Sequence, residues 1–311
     1  MPLPTTITPP TSPLQRVADP AYVQRGVELW VKRDDLLHPV VSGNKWRKLK
    51  YNVAEAEAQG ARRWLTFGGA HSNHLPAVAA SAQAQGRATI GVVRGEEPKA
   101  LSPTLHTCQA LGMQLHIVSR TEYRQRGEKD YQQTLMHQFQ ADYLIPEGGS
   151  SALALPGVAE LWQEVDAEFD WAVTAVGTGG TLAGLALGAP EHTQVLGVVA
   201  LKGYAGQMER EVEALLAQQN ARTHGWRLVH DAHHGGYAKA TPALIEFMTH
   251  WPQQHGFLLD PIYTGKVFYY LHHRIVAGYF PRGTRILALH TGGLQGIAAF
   301  NTRYGCQLPT P

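Results

Sequence analysis

The sequence has few of the features that mark secreted, membrane or disulfide-rich proteins. It holds only two cysteines in 311 residues, Cys108 and Cys306, so it has neither a disulfide framework nor a paired-cysteine metal motif. No apolar run approaches the ~20 residues that span a bilayer. The first fifteen residues lack the charged start and apolar core of a signal peptide. We therefore expect a cytoplasmic globular protein with no membrane partner.

Charge and histidine content exclude two further classes. A formal net charge of +2 gives no electrostatic argument for a nucleic-acid partner. Sixteen histidines include three close pairs, at 71 and 74, 233 and 234, and 272 and 273, but none has HExxH spacing or a cysteine partner. We expect neither a nucleic-acid partner nor a metal site.

Apolar, β-branched runs alternate with longer helix-like segments, which predicts an α/β fold with a mostly parallel sheet. The predicted strands are 28–32, 63–67, 88–93, 114–118, 171–176, 195–200 and 285–289. The predicted helices are 45–59, 75–85, 103–111, 128–140, 156–168, 180–187, 207–218, 241–254 and 265–278. The segment 146–157, PEGGSSALALPG, interrupts the strand and helix pattern more strongly than any other interior segment. It indicates a place where the chain crosses between two lobes.

Glycine pairs follow three of these strands, in LTFGGAHSNH, VTAVGTGGTLAGL and LALHTGGLQG. Ligand sites in open α/β sheets lie just outside the carboxyl ends of strands, where small residues let backbone N–H groups approach an anion. One such pair is ordinary turn chemistry. Three of them, each with polar neighbours, favour one shared pocket.

The loop 177–181, GTGGT, indicates what this pocket holds. It has no GxxxxGK[ST] motif, and it departs from GxGxxG because Leu182 stands at the last position. A phosphate held without a loop lysine or Mg²⁺ suits the monophosphate tail of a cofactor. The alternative is a tight turn in which glycine serves packing alone.

The basic stretch 42–50, SGNKWRKLK, contains one lysine with a candidate chemical role. If residues 42–44 cap a helix that begins near Lys45, this lysine lies at the margin of the apolar stripe, whereas Arg47 and Lys48 point away from it. We expect the other three cations to be surface or supporting charges. Burial, the helix dipole and neighbouring cations would lower the pKa of Lys45 and allow it to form a Schiff base. The alternative is a set of four solvated charges.

A reactive lysine, a glycine-threonine loop and no metal or dinucleotide motif together suggest pyridoxal phosphate. The sequence resembles the pyridoxal-phosphate enzymes of the D-cysteine desulfhydrase and aminocyclopropane-carboxylate deaminase family. The likeness runs through VKRDDL, GNKWRKL, GGAHSNH, VVRGEEP, YLIPEGGSSALALPGVAEL, GTGGTLAGL, DPIYTGK and LHTGG. It implies a homodimer with the tryptophan-synthase-β-like fold, in which helices flank mostly parallel, twisted sheets. A large cofactor-binding domain would comprise 1–48 and 156–311, and a small domain 49–155.

The resemblance also implies how the cofactor is held. Lys45 would be the Schiff-base lysine, and Tyr263 would stack on the pyridine ring. Asn73 would lie beside the phenolic oxygen, and Thr291 at the pyridine nitrogen. The phosphate would be bound by Gly177, Thr178, Gly179, Gly180 and Thr181.

Substrate contacts are implied by the same likeness. Lys45 would move the proton at the substrate α-carbon, with Ser72 and Tyr237 completing the catalytic set beside Tyr263. Ser72, Asn73 and His74 would face the substrate carboxylate, and Tyr237 would reach in from the GGYA turn.

The residue after the stacking tyrosine is Thr264, where the deaminase branch carries a glutamate. Neutral Thr264 and Thr291 imply a weaker electron sink, which suits β-elimination better than opening a cyclopropane. The implied reaction is β-elimination from a small amino acid, first D-cysteine, to pyruvate, ammonia and hydrogen sulfide. Three alternatives stay open: an aminocyclopropane-carboxylate deaminase giving 2-oxobutanoate, a deaminating relative acting on D-serine or β-chloroalanine, and a binding protein without turnover. His71 and Pro76 depart from the family pattern at the carboxylate site and leave the substrate's chirality open.

Overall fold

Ten strands form the framework of the described chain. The structure, a computed structural model, describes residues 11–96, 100–220 and 225–311. The strands are β1 (Leu14–Val17), β2 (Glu28–Lys32), β3 (Arg63–Gly69), β4 (Ala88–Arg94), β5 (Met113–Val118), β6 (Tyr143–Ile145), β7 (Trp171–Val176), β8 (Gln194–Val199), β9 (Trp226–Val229) and β10 (Arg285–Leu289). They are rich in β-branched and aromatic residues, which pack well on a pleated surface.

Helices fill most of the intervals between the strands. They are α1 (Pro20–Arg25), α2 (Asn44–Ala58), α3 (His74–Ala84), α4 (Pro103–Ala110), α5 (Lys129–Gln138), α6 (Ala154–Ala159), α7 (Gly180–Gly188), α8 (Gln207–Ala217), α9 (Pro242–His255), α10 (Thr264–Val276) and α11 (Ile297–Tyr304). Short 3₁₀ turns lie at Asp34–Leu36, Glu122–Gly127, Glu147–Gly149, Glu160–Glu164 and Leu294–Gly296. No helix of the described ranges is long and apolar enough to cross a membrane.

Two separate sheets organise these elements. The larger has the strand order β1-β2-β10-β7-β8-β9, and all of its pairings are parallel except that of β1 with β2. The smaller has the order β5-β4-β3-β6 and is parallel throughout. The α/β class with mostly parallel sheets is therefore confirmed.

Both faces of the larger sheet are covered by helices, as a parallel sheet requires. Along β10, Ile286 and Ala288 belong to the core formed with α9 and α10, where Trp251 and Phe268 are almost fully buried. Leu287, the residue between them, belongs to the opposite core with α6, α7 and α8. This alternation follows from the two-residue period of a strand. Because helices occupy both faces, a ligand can approach this sheet at the carboxyl ends of its strands.

The seven predicted strands are all present, but three strands were missed. These are β1, β6 and β9, which have only three or four residues each and occupy sheet edges. Such short segments show little periodicity, and their pairing depends on neighbours distant in sequence. The short helix α1 and the last helix α11 were also missed.

One predicted helix, 156–168, is wrong in extent. The α-helix α6 ends at Ala159 and continues only as the 3₁₀ turn Glu160–Glu164, after which Val165 is extended. Trp162 in this turn donates from Nε1 to the carbonyl of Leu185 at 3.0 Å, and Glu164 pairs with Arg47. Contacts with other elements therefore override the local helical pattern.

Candidate active site

A cavity of about 430 Å³ opens at the carboxyl ends of strands from both sheets. All three predicted glycine turns contribute to its wall, through Gly69 at the end of β3, Gly177 after β7 and Thr291 after β10. The expectation that they share one pocket is confirmed. The start of α2 and the 3₁₀ turn Glu147–Gly149 supply further wall residues.

The helix that carries Lys45 begins against the turn that follows β10. Gly43 is its N-cap, with φ of +63°, and a Cβ on Gly43 would lie 1.9 Å from the carbonyl oxygen of Thr291, so only glycine fits. The predicted capping by side chains of residues 42–44 is wrong, since no side chain caps this helix. Asn44 instead donates from Nδ2 to Oγ1 of Thr181 at 2.7 Å, which ties α2 to the loop 177–181.

Lys45 lines the cavity and is held at its amine. Its Nζ donates to the carbonyl of Gly148 at 3.2 Å. Burial lowers the pKa of Lys45 to about 8, while the charge of Glu147 acts in the opposite direction. With this pKa, roughly a quarter of the molecules carry a neutral amine at about pH 7.5. The predicted lowering of the pKa of Lys45 agrees with this environment, with burial as the main cause. Its role as a nucleophile stays a prediction.

The loop 177–181 presents backbone N–H groups at the start of α7. Gly179 is left-handed, with φ of +75°, and Gly180 is the first helical residue. The amides of this helix terminus and the threonine hydroxyls suit a bound anion. The cavity wall includes Gly177, Thr178, Gly179 and Thr181. Gly180 lies behind them against Ser150, whose Oγ would be 2.6 Å from a Cβ on Gly180.

Lys48 is a second lysine in this cavity, so it is not a surface charge. Its side chain is 1% exposed, and Nζ donates to Oγ of Ser150 at 2.6 Å and to Oγ1 of Thr178 at 3.5 Å. Burial, followed by the charge of Lys45, lowers the pKa of Lys48 well below its ordinary value. Hydroxyls are its only hydrogen-bond partners among the described residues. A buried cation with these partners fits an anionic ligand beside it.

Arg47 is a supporting charge and not a surface one, which decides between the two interpretations left open for it. It is 3% exposed, and its guanidinium donates to both carboxylate oxygens of Asp34 at 2.7 and 2.8 Å and to Oε1 of Glu164 at 2.7 Å. The helical pattern did not decide this because α2 packs against α6 as well as α3. The ion pairs fix the start of α2, and with it Lys45.

The GGAHSNH motif brings Ser72, Asn73 and His74 to the start of α3, in the cavity wall. Asn73 accepts at Oδ1 from Nε2 of Gln295 at 2.8 Å. Thr66 donates its single hydroxyl hydrogen to the carbonyl of Ile145, so it accepts from Nε2 of His74 at 2.7 Å. Burial holds the pKa of His74 well below its usual range, so the ring is neutral. Ser72 and Asn73 are therefore the better placed polar side chains for a carboxylate.

Tyr237 and Tyr263 meet edge to face in the cavity wall, with ring centroids 6.2 Å apart. The carboxylate of Asp260 accepts from the backbone N–H groups of Ile262, Tyr263 and Thr264 and fixes the start of α10. Burial raises the pKa of both tyrosines, so both phenols are protonated at neutral pH. Their hydroxyls can donate hydrogen bonds within the site.

Thr264 does not face the cavity, which corrects its expected place beside Thr291. It is fully buried, and its Oγ1 lies 2.9 Å from Oδ2 of Asp260, to which it donates. Thr291 does line the cavity. The side chain at 264 is turned inward because it completes the hydrogen bonding of the helix cap formed by Asp260.

Nine polar residues of the wall escaped the sequence analysis as site residues: Asn44, Lys48, Arg94, Arg126, Glu147, Lys202, Tyr204, Glu211 and Lys239. The sequence could have indicated Lys48, because residues three apart lie on the same helix face and Lys45 was already placed at the cavity. Glu147 opens the glycine turn of 146–157, and Arg94 ends β4. For these two, the position relative to the cavity depends on tertiary structure.

Comparison with known proteins places this cavity in a chemical family. The family model of pyridoxal-phosphate-dependent enzymes matches residues 9–292. The chain belongs to the pyridoxal-phosphate-dependent enzymes. The cofactor is therefore pyridoxal 5'-phosphate, and the expected cofactor is confirmed.

The proteins similar to this enzyme are named after two activities, D-cysteine desulfhydrase and ACC deaminase. The mitochondrial bifunctional D-cysteine desulfhydrase/1-aminocyclopropane-1-carboxylate deaminase of Arabidopsis thaliana is 33% identical over 302 residues, which cover 88% of this chain and 74% of that protein. A D-cysteine desulfhydrase of Salmonella choleraesuis is 32% identical over 94% of this chain and 93% of that protein. The solved structure of an ACC deaminase homologue has a TM-score of 0.82 and 26% identity, covering 96% and 95% of the two chains. The tryptophan-synthase-β-like fold is confirmed.

The cavity fits the cofactor of this enzyme family. The loop 177–181 and the buried ammonium of Lys48 suit its phosphate, and Lys45 offers an amine for its aldehyde. Within the described ranges, no three His, Cys, Asp or Glu side chains are grouped so that they could hold a metal ion.

Proposed function

We propose that this enzyme is a lyase that catalyses β-elimination from a small amino acid, with D-cysteine as the first candidate substrate. The observation that carries the proposal is the placement of Lys45, whose amine has a pKa of about 8 and shares one cavity with the anion-binding loop 177–181 and with Ser72. The reaction releases pyruvate, ammonia and, from D-cysteine, hydrogen sulfide.

Pyridoxal phosphate, when bound, supplies an electron sink for the α-carbon of the substrate. The loop 177–181 and Lys48 would hold the phosphate by hydrogen bonds and charge. Tyr263 would pack on the ring, Asn73 would donate to the phenolic oxygen, and Thr291 would offer a neutral hydroxyl to the ring nitrogen. These roles would orient the cofactor toward Lys45.

The substrate is handled by a second set of side chains. Ser72 and Asn73 bind its carboxylate at the start of α3, where helix amides add donors. Lys45 takes the proton from the α-carbon, as a neutral amine of this pKa can at physiological pH. Tyr237 closes the site from the other side and donates its phenolic proton to substrate or leaving group. His74, being neutral and bonded to Thr66, holds the motif in place.

An aminocyclopropane-carboxylate deaminase is the second candidate, because relatives carry that name as well. Thr264 is turned onto Asp260 and Thr291 is neutral. A neutral partner leaves the ring nitrogen a weaker electron sink, which favours elimination over ring opening. D-serine and β-chloroalanine are further candidate substrates of the same elimination.

Product release from a substrate panel tests the proposal. Purified holoenzyme is assayed for pyruvate and sulfide with D- and L-cysteine, for pyruvate with both enantiomers of β-chloroalanine and serine, and for 2-oxobutanoate with 1-aminocyclopropane-1-carboxylate. Pyruvate from D-cysteine and β-chloroalanine is expected. Exclusive formation of 2-oxobutanoate would replace the proposal with the second candidate, and no product from any compound would refute both.

Lys45→Ala is expected to abolish turnover, and borohydride reduction followed by peptide mapping is expected to find the cofactor mass on the peptide with Lys45. The matched control is Lys50→Ala on the same helix, because Lys50 is partly exposed and pairs with Glu160 outside the cavity. Retained turnover in Lys45→Ala would contradict the assigned role.

Three coarser expectations also become proposals. We propose a large domain of 1–48 and 156–311 and a small domain of 49–155. The smaller sheet takes all its strands from within 49–155, and the larger sheet takes none from there, which supports this division.

A homodimer and a cytoplasmic location stay predictions. Light scattering of the purified protein and microscopy of the tagged protein test them.

A further inference from the structure

The cavity wall carries more positive charge than the cofactor and one substrate carboxylate require. Its basic residues are Lys45, Lys48, Arg94, Arg126, Lys202 and Lys239, and its acids are Glu147 and Glu211. Arg126 is paired with Glu147. Lys45 and Lys48 face the cofactor, which leaves three basic residues without an assigned anion.

Arg94 is an exposed residue of this wall that lies beside two aromatic rings. It is the last residue of β4, and its guanidinium lies 5.6 Å from the ring centroid of Tyr123 and 6.0 Å from that of Tyr237. It forms no ion pair with the described residues. Neighbouring Gly69 leaves the guanidinium room, since even a Cβ there would stay 3.5 Å away. Two aromatic neighbours restrict the side chain, and its donors form no hydrogen bond with the part of the chain that the structure describes.

The α-carboxylate of a substrate does not account for Arg94. Ser72, Asn73 and the amides at the start of α3 already provide donors for that group. Arg94 instead borders Tyr237, the residue proposed to reach the substituent of the substrate. An arginine with unpaired donors in a cavity suits a carboxylate, sulfonate or phosphate, whose oxygens match its planar fork.

We propose that Arg94 binds a second anionic group, carried on the β-substituent of the amino-acid substrate. The preferred substrates are then amino acids with a sulfonate or phosphate group on Cβ, or with a thioether that ends in a carboxylate. This inference rests on the proposed function, because it names the substrate class of the same elimination.

Arg94 also fits the chemistry of such a substituent. In the elimination, the α-proton passes to the amine of Lys45, the bond from Cβ to the substituent breaks, and the substituent leaves with the electron pair. Water then converts the released enamine to pyruvate and ammonium. A substituent that leaves as sulfite or phosphate gains negative charge in this step, and a guanidinium beside it stabilises that charge.

The experiment compares aspartate with asparagine, a neutral ligand of the same size. Neither has a leaving group for the elimination, so binding of both enantiomers to the holoenzyme is measured by calorimetry. Aspartate is expected to bind at least about tenfold more tightly than asparagine, because one charge-assisted contact provides that much affinity. Arg94→Gln is expected to remove most of this ratio of the two dissociation constants. A wild-type ratio near one, or no binding of aspartate, would overturn the proposal.

Two further outcomes decide whether Arg94 itself makes the contact. If Arg94→Gln weakens aspartate and asparagine equally, the residue holds the α-carboxylate and the proposal is wrong. Lys239→Gln is the matched control, because Lys239, like Arg94, is an exposed cation of the same wall. A loss of the ratio as large in Lys239→Gln as in Arg94→Gln would assign the preference to general positive potential and overturn the role of Arg94.

Turnover assays separate this inference from the proposed function. Pyruvate from β-chloroalanine without any preference for aspartate over asparagine would leave the lyase in place and overturn the anionic subsite. A preference for aspartate without pyruvate from O-phosphoserine or from any compound of the substrate panel would support the subsite and refute the lyase.

Discussion

Lys45 and Lys48 lie one turn apart on α2, and their amines reach two residues of the same short turn. Nζ of Lys45 donates to the carbonyl of Gly148 at 3.2 Å, and Nζ of Lys48 donates to Oγ of Ser150 at 2.6 Å. The charge of Lys45 helps to lower the pKa of Lys48. Two ammonium groups so close together repel each other, and a phosphate between them and the loop 177–181 relieves this repulsion.

Replacing Lys48 should therefore change cofactor affinity and apoprotein stability in opposite directions. Lys48→Met removes a charge-assisted contact to the phosphate, worth about 1.5–3 kcal/mol, so the Kd for pyridoxal phosphate should rise about 10- to 100-fold. The apoprotein should keep or gain stability, because folding no longer has to desolvate or deprotonate this buried amine. Fluorescence titration and thermal unfolding of apoprotein measure both effects.

Lys50→Met is the control for this substitution, since the partly exposed Lys50 pairs with Glu160. It should leave cofactor affinity within about twofold of the wild type. Unchanged affinity in Lys48→Met would contradict the phosphate contact.

The pH dependence of cofactor uptake should follow the amine of Lys45. Its pKa in the folded protein is lowered to about 8, and only the neutral amine attacks the aldehyde of the cofactor. The neutral fraction rises about tenfold per pH unit below that pKa and levels off above it. The rate of uptake by the apoprotein should therefore rise up to about pH 8 and then become constant.

Stopped-flow absorbance on apoprotein between pH 6 and 10 measures this profile, with ~pH 8 as the expected midpoint. A midpoint near the ordinary lysine pKa of ~10.4 would show that burial does not lower the pKa of Lys45.

The buried ion pairs of Arg47 should be essential for stability. Arg47→Met leaves the carboxylate of Asp34, which is fully buried, without its main cation. Breaking a buried pair in this way costs about 3–5 kcal/mol. Urea unfolding of holoenzyme should show this loss, together with weaker cofactor binding, because the start of α2 is no longer fixed.

Arg16→Met is the matched control, since Arg16 pairs with Glu28 at an exposed site. Its free energy of unfolding should fall by less than about 1 kcal/mol. Similar losses in both variants would mean that the Arg47 pairs contribute no more than a surface ion pair.

Local sequence patterns were sufficient for the larger strands, for eight of the nine predicted helices and for the loops at the strand ends. Continuous apolar runs identify buried parallel strands, and glycine pairs after them identify the turns that approach an anion. The family motifs extended this to Lys45, Ser72 and Tyr263, all of which line one cavity. What these patterns share is that the determining residues are adjacent or one helical turn apart.

Tertiary structure decided the features that depend on distant neighbours. Helical periodicity pointed Arg47 and Lys48 away from the apolar stripe, but α6 covers α2 there, and Asp34, Glu164 and Ser150 provide their partners. The sequence by itself therefore determined the fold class and singled out Lys45 as the lysine at the cavity. Only the packing of separate elements decided which other charges are buried, because the desolvation of a charge depends on everything around it.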